Sequence, residues 1–263
     1  MLAGDKMVGD LLRAWRERRR FSQLELACES GVSQRHLSFV ESGRAAPSRD
    51  MVLRLSAHLE VPLRDRNVLL VAAGFAPMYR ERPYDAPELA GARAAVARVL
   101  EAHKPFPAIA VDRHWTIVAS NYAAEPLMAG VDPTLRVPPV NALRLSLHPG
   151  GLAPRILNLP EWRAHVMDRL RRQLATTGDT GIAELMAELS GYAGADAEWS
   201  HDLNAIAVPL RIRMPDGVVS FLSTVTVFGT PNDITLSELV LETFLPADEE
   251  TAALMRRYAE RAR

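Results

Sequence analysis

Cysteine is nearly absent from this 263-residue sequence, which contains only Cys28. One thiol excludes an intramolecular disulfide, a zinc site built on several thiolates and an iron–sulfur cluster held by cysteines alone. The seven histidines form no HxxH or HxxxH pair, and the sequence has no GxSxG, P-loop or GxGxxG motif. We therefore predict neither an enzyme nor a metal site.

Long hydrophobic runs are also lacking. The longest, VLLVAAGFAPM at residues 68–78, is about half the length of a membrane span and contains Gly74 and Pro77. The segment MLAGDKMVGD at the start has no hydrophobic region of a secretory signal. With 48% hydrophobic and 24% charged residues, the composition is that of a globular protein, not of a disordered or fibrous one. We expect a cytoplasmic protein without a membrane partner.

Positive and negative charges are nearly balanced overall but are unevenly distributed. Residues 1–84 carry 14 Lys and Arg against 10 Asp and Glu, whereas residues 85–263 carry 17 against 22. A basic first part suits a polyanion such as DNA, although such a small excess is common in domains that bind none.

The chain divides into two regions with different patterns. Residues 1–84 predict five short helices; SQLE at 22–25 is a capping box, and glycines end several of the helices. After the proline-bearing segment 75–87 the pattern becomes mixed, so we predict an all-α domain of 1–84 and an α+β domain of 85–263. The predicted elements of the second domain are a helix at 89–103, a hairpin of 107–111 and 115–120, helices at 161–176 and 181–192, a hairpin of 205–214 and 218–229 around Asp216-Gly217, a strand at 239–245 and a closing helix at 248–263.

Residues 23–42, QLELACESGVSQRHLSFVES, have the spacing of a helix-turn-helix. Ala27 is small enough for two helices to cross, and Gly31 supplies the positive φ that the turn needs. A small helical bundle that does not bind DNA can have the same core pattern, so only the surface residues distinguish a DNA-binding motif from such a bundle. The predicted core positions are Leu24, Val32, Leu37 and Val40.

Side chains at the start of the second helix of this motif suit base edges. Gln34 matches adenine N6 and N7, and Arg35 matches guanine O6 and N7. We add Ser33, which caps the helix, to the predicted DNA-binding residues. In core and surface together, residues 7–73 resemble the lambda-repressor-like, or XRE, helix-turn-helix family.

That resemblance implies further contacts with double-stranded operator DNA. Gln23 and Arg44 would touch phosphates, and Ser38 would join the base readers. Phe39 occupies a position that is commonly polar in the family, so it either contacts a thymine methyl or packs inward; we favour the thymine contact.

The sequence beyond the helix-turn-helix resembles a narrower family. Segments PAIAVDRHWTIVASN, NALRLSLHPGGLAPRILN and EWRAHVMDRLRRQLATTGD are similar to those of MmyB-like transcription regulators, in which a PAS-like ligand-binding domain follows the helical domain. The resemblance implies a hollow between sheet and helices that takes a long apolar molecule such as a fatty acid. We expect no cofactor, although haem on one histidine and a non-covalent flavin stay open. Asn121, at the end of the first hairpin, is expected to bind backbone more than ligand.

Apolar side chains of the second domain are candidates for lining that hollow, although such residues more often form the core. Arg144 and His148 would share one face of a helix and hold a carboxylate together, with a surface pair or a cap as the plainer alternative. The candidate lining residues are Leu127, Met128, Met167, Met186, Phe221 and Leu222.

These features predict a ligand-responsive transcription factor that binds DNA as a homodimer, because one recognition helix covers only a few base pairs. Candidate dimer contacts are a helix at 85–103 and a C-terminal helix with Leu254, Met255 and Tyr258. Two alternatives stay open: a ligand-independent DNA-binding protein whose second domain serves assembly, and an enzyme on a DNA anchor.

Overall fold

The computed structural model describes residues 7–192 and 207–261. Residues 205–206 of a predicted strand, residues 262–263 of the predicted closing helix and His201 lie outside the described residues. By internal contacts the chain divides into two units, the first reaching Arg82 and including the segments 175–178 and 230–237. The domain bounds of 1–84 and 85–263 stay a prediction.

The first unit contains the five predicted helices. The capping box is confirmed: the Ser22 side chain accepts from the Glu25 N–H, and the Glu25 carboxylate accepts from the Ser22 N–H. Gly31 adopts a φ of 65° at the turn of the motif, as predicted. The helices are α1 (Val8–Arg18), α2 (Gln23–Ser30), α3 (Gln34–Glu41), α4 (Arg49–His58) and α5 (Leu63–Ala72).

The core of this unit corrects one predicted position. Ala27, Leu37 and Val40 are buried as predicted and Val32 packs partly against them, but the Leu24 side chain is 56% exposed. Helical residues are about 100° apart, so a helix that buries Leu26, Ala27 and Ser30 turns Leu24 toward solvent. Leu26 takes the core place that Leu24 was expected to fill.

A buried carboxylate joins the first three helices. The Glu41 side chain has no exposed surface. It accepts hydrogen bonds from Arg16 Nε at 2.7 Å, from Arg16 Nη2 at 2.9 Å and from Gln23 Nε2 at 2.8 Å. Gly9 permits the close packing, because a Cβ there would lie 2.2 Å from the Val40 carbonyl oxygen. The position of α3 against α1 and α2 therefore depends on one charged cluster.

The second unit is an α+β domain with a five-stranded antiparallel sheet, which confirms the predicted PAS-like fold class. The strand order is β2-β1-β5-β4-β3. The elements of this unit are α6 (Ala90–Ala102), β1 (Ala108–Val111), β2 (Ile117–Ser120), α7 (Ala142–Leu147), α8 (Leu159–Thr177), α9 (Thr180–Ser190), β3 (Leu210–Met214), β4 (Gly217–Val227), β5 (Val240–Pro246) and α11 (Glu249–Arg261). The end of α8 and the short helix α10 (Ile234–Ser237) are grouped by their contacts with the first unit.

Both predicted hairpins form. In the second hairpin Met214 pairs with Gly217, so the two-residue turn is Pro215-Asp216, one residue earlier than predicted. In the middle of the sheet Glu242 of β5 lies opposite Ile109 of β1. Because directly paired residues share a face, Glu242 points to the same side of the sheet as Ile109.

Asn121 has the backbone role that the sequence predicts. Its side-chain oxygen accepts from the Ala108 N–H at 3.1 Å, and its amide nitrogen donates to the Leu100 and Phe106 carbonyls. The buried side chain thereby ties the end of α6 to the first hairpin.

The C-terminal residues that were predicted to contact a second protomer pack within their own unit. Leu254 and Met255 are buried in the core of their own unit, and Tyr258 packs partly against it. Leu254 and Met255 are therefore unavailable to a partner in this conformation. No helix among the described residues combines the length and the apolar character needed to cross a membrane.

We expect Glu41→Gln to lower the free energy of unfolding of the first unit by about 3 kcal/mol at neutral pH, because the change removes the buried counter-charge of Arg16, whose side chain is 11% exposed. Hydrogen exchange of the full chain measures this directly, as lost protection of amides in α1 and α3 with unchanged protection in the sheet. Glu17→Gln is the matched control, because Glu17 is an exposed partner of the same arginine.

The effect should depend on pH. Burial opposes ionisation of Glu41, but hydrogen bonds from Arg16 and Gln23 outweigh it and hold the pKa below its ordinary value of 4.5. Because the pKa of Glu41 is lower in the folded state, its ionisation stabilises the fold at pH values above the ordinary pKa. This stabilisation is lost as the pH falls through the folded-state pKa. The difference in free energy of unfolding between the unaltered protein and Glu41→Gln should therefore shrink as the solution becomes acidic. A difference that stays constant from pH 7 to pH 3 would contradict this role of Glu41.

Candidate functional site

The exposed end of α3 carries the predicted base-reading residues. Ser33 caps the helix, its side-chain oxygen accepting from the His36 N–H at 3.2 Å. Gln34 and Arg35 follow at once and are exposed. The cap fixes the first turn of the helix, so both side chains leave it in a defined direction.

Phe39 lies next to Arg35 on the same side of α3. The Arg35 guanidinium carbon is 5.4 Å from the centre of the Phe39 ring. Phe39 is half-buried, whereas its neighbours Leu37 and Val40 are buried in the core. The ring is thus available beside Arg35, and Ser38 is half-buried next to it.

The two predicted phosphate-binding side chains differ in their surroundings. Gln23 is half-buried, and its amide nitrogen donates to Glu41. Arg44 is exposed in the loop after α3, where its backbone N–H donates to the Phe39 carbonyl. The charged cluster of Glu41 thus fixes Gln23, whereas Arg44 extends from an ordered turn.

The second unit contains a cavity of about 90 Å³ between the sheet and the helices α7 and α8. Most of its lining is aliphatic or aromatic. The polar or charged side chains in the lining are Ser146, His165, Arg169 and Glu242.

Some of the predicted lining residues reach this cavity. Leu127 and Met128 line it, whereas Met167 and Phe221 are buried in the surrounding core and Met186 packs partly against that core. Leu222 lies in β4, half-buried and opposite Leu245, away from the lining.

Arg144 and His148 are not placed as expected. Arg144 holds Glu188 through two nitrogens, with Nη2 to Oε2 at 2.7 Å. Because α7 ends at Leu147, His148 has left the helix, and its Nδ1 accepts from the Gly150 N–H. Neither side chain lines the cavity. Arg144 thus forms a surface pair, although with Glu188 instead of His148, and His148 is the C-cap residue of α7.

A different pair with the same spacing does reach the cavity. His165 and Arg169 are four residues apart on α8, and both line it. The four-residue spacing that singled out Arg144 and His148 in the sequence also occurs for His165 and Arg169, in the longer helix α8. Glu242, a lone acid within the apolar run VLETFLP, was the other signal missed.

These side chains form one connected group. Arg169 Nη1 lies 2.9 Å from Glu242 Oε1, and the guanidinium carbon is 4.3 Å from the centre of the Trp115 ring. His165 stacks on Trp162 with ring centres 5.4 Å apart. Burial first, and then the charge of Arg169, hold the pKa of His165 below its ordinary value of 6.5. At neutral pH the cavity thus contains a neutral imidazole beside an ion pair whose carboxylate is buried.

Comparison with known families gives a match across most of the chain. A model of the MmyB-like transcription regulator ligand binding domain matches residues 92–257, and a helix-turn-helix model matches residues 12–65. This chain belongs to the MmyB-like transcription regulators. It combines a helix-turn-helix region with a domain of the MmyB-like ligand-binding type, and the matches point to a transcription regulator.

Individual proteins match this MmyB-like regulator over a short segment or with low similarity. The HTH-type transcriptional regulator SlrR of Bacillus subtilis (strain 168) is 42% identical over 60 residues, which are 22% of this chain and 40% of SlrR. A solved RNA-binding light-oxygen-voltage receptor aligns over 96% of this chain and 64% of its own length, with 13% identity and a TM-score of 0.27. The chain thus spans less than two thirds of either protein.

A buried hydrogen bond supports the cavity wall of the MmyB-like regulator. Trp162 Nε1 donates to the Ser146 hydroxyl at 2.8 Å, and both residues are buried. Ser146→Ala should lower the free energy of unfolding of this unit by about 1–3 kcal/mol, because the indole N–H loses its acceptor. Thermal unfolding of the full chain checks this. Ser190→Ala, which removes an exposed hydroxyl from α9, is the control and should change little.

Proposed function

We propose that this protein is a transcription regulator that binds an operator as a homodimer in the cytoplasm and responds to an apolar acid, a long-chain fatty acid, bound in its second domain. The observation that carries the proposal is the apolar cavity of the domain that the family model describes as ligand-binding. The exposed start of α3 supports the DNA part.

The proposed DNA contacts follow from the surface of α3. Arg35 and Gln34 read guanine and adenine, and Phe39 places its ring against a thymine methyl beside Arg35. Ser38 joins these base contacts, whereas Arg44 binds a phosphate. Gln23 and Ser33 complete the set of contacts at helix N-termini.

Two half-sites about one helical turn apart would supply the specificity that a single α3 lacks. With Leu254 and Met255 in the core, α6 is the better candidate for the dimer contact. Its Val99 side chain is exposed, whereas Val96 and Leu100 face inward.

Arg35→Ala should weaken binding to the specific operator by about 1–3 kcal/mol with little change on random DNA, because a base contact is lost. Arg44→Ala should weaken both and flatten the dependence of affinity on salt, because a phosphate contact releases counterions whatever the sequence. Titrations on operator and random duplexes at several salt concentrations separate the two roles. Equal losses for Arg35→Ala on both DNAs would reassign it to the backbone.

The cavity needs to widen for a long chain. Its volume of about 90 Å³ is below the roughly 300–1,000 Å³ of typical ligand pockets. The half-buried Met128 is a lining side chain suited to movement, because methionine is unbranched and adapts to irregular shapes. The aliphatic chain of the ligand would then contact side chains that otherwise contact one another in the core.

A fatty acid should raise the melting temperature of the full-length protein after bound lipid has been removed, because a ligand of the folded state stabilises it by RT ln(1 + [L]/Kd). Shortening the acid by four carbons should cost about 3 kcal/mol of binding, at about 0.8 kcal/mol for each buried methylene. Calorimetry with acids from about ten to eighteen carbons measures this. Absence of heat and of stabilisation throughout the series would favour the ligand-independent alternative.

A further inference from the structure

Two opposite charges face an otherwise apolar cavity. Arg169 of α8 and Glu242 of β5 both belong to its lining; the Glu242 side chain is 5% exposed and the Arg169 side chain is 23% exposed. Burying an ion pair costs desolvation free energy that its attraction often fails to recover. An apolar pair at these two positions would serve packing at least as well, so the charges at the cavity wall require another explanation.

The contact between the two residues leaves part of the arginine available. Among the described residues, Arg169 donates one side-chain hydrogen bond, from Nη1 to Glu242 Oε1. A guanidinium has five N–H donors and suits paired contacts with a carboxylate. Glu242 uses only part of this capacity, while the Trp115 ring supports the guanidinium from one side.

We propose that Arg169 anchors the ligand: an aliphatic acid lies with its chain along the apolar wall and its carboxylate on Arg169, in competition with Glu242. This inference rests on the proposed function, because it needs a ligand in this cavity. It moves the anchor from Arg144 and His148, which hold surface contacts, to the charged group inside.

Glu242 sets the affinity in this arrangement. Two carboxylates at one guanidinium repel each other. The affinity of an acid is therefore set by how much more favourable its contact with Arg169 is than the contact between Glu242 and Arg169. A ligand with a hydroxyl head group does not meet this repulsion. Arg169 would thus favour acids over alcohols, while Glu242 lowers the affinity for acids.

The two members of the pair should therefore have opposite effects on acid binding. We would titrate decanoic acid and 1-decanol into the full-length protein, stripped of lipid, by calorimetry. Glu242→Gln should tighten decanoic acid about tenfold, because the competing charge is gone, whereas Arg169→Gln should weaken it about tenfold or more. Binding of 1-decanol should change by less than about threefold in both variants.

The controls separate an anchor from a structural ion pair. Arg144→Gln breaks the exposed pair with Glu188 and should leave both ligands unaffected. The double variant Arg169→Gln/Glu242→Gln carries no unpaired buried charge and keeps the test available if Arg169→Gln fails to fold. It should bind 1-decanol like the parent and lose the preference for the acid.

Three results would overturn the inference. If both ligands bind but the ratio of acid to alcohol affinity is unchanged in the Glu242 and double variants, Arg169 is not the anchor and the proposed function still stands. A selective loss of acid binding in Arg144→Gln would return the anchor to the surface pair. Failure of the unaltered protein to bind either ligand would overturn both the anchor and the proposed response to fatty acids.

Discussion

A buried carboxylate needs a positive partner, and each of the two units contains such a pair at its centre. In the helical unit Arg16 and Gln23 bind Glu41, so one carboxylate holds α1, α2 and α3 together. In the α+β unit Arg169 binds Glu242 across the space between α8 and the sheet. The cost of leaving either acid unpaired fixes which helix faces which neighbour.

The two pairs differ in how they are enclosed, and this difference separates their roles. Glu41 is sealed within a packed core and accepts three hydrogen bonds, so nothing is left for a ligand. Glu242 lies at a cavity wall and shares one hydrogen bond with an arginine that retains further donors. A fully satisfied charge stabilises a fold, whereas a partly satisfied charge beside empty space is suited to binding.

The contrast between Arg144 and Arg169 illustrates what spacing in a sequence can and cannot predict. Both arginines have a histidine four residues away, which places the two side chains on one face if the helix continues. The helix of Arg144 ends before His148, and Glu188 from α9 occupies the guanidinium. The helix of Arg169 continues for two more turns, and its face meets the sheet. Helix length and the identity of the facing element decided between them.

The sequence by itself determined the local structure of this protein. Gly31, the capping box at Ser22 and the apolar periodicity set the helix-turn-helix, and alternation with a turn set both hairpins, because these signals act over a few neighbouring residues. Only the tertiary structure decided which face of α2 packs inward, exposing Leu24, and which charged residues enter the cavity. Those choices depend on contacts between distant segments, such as Arg169 with Glu242, and short-range patterns carry no record of which distant side chain will be the partner.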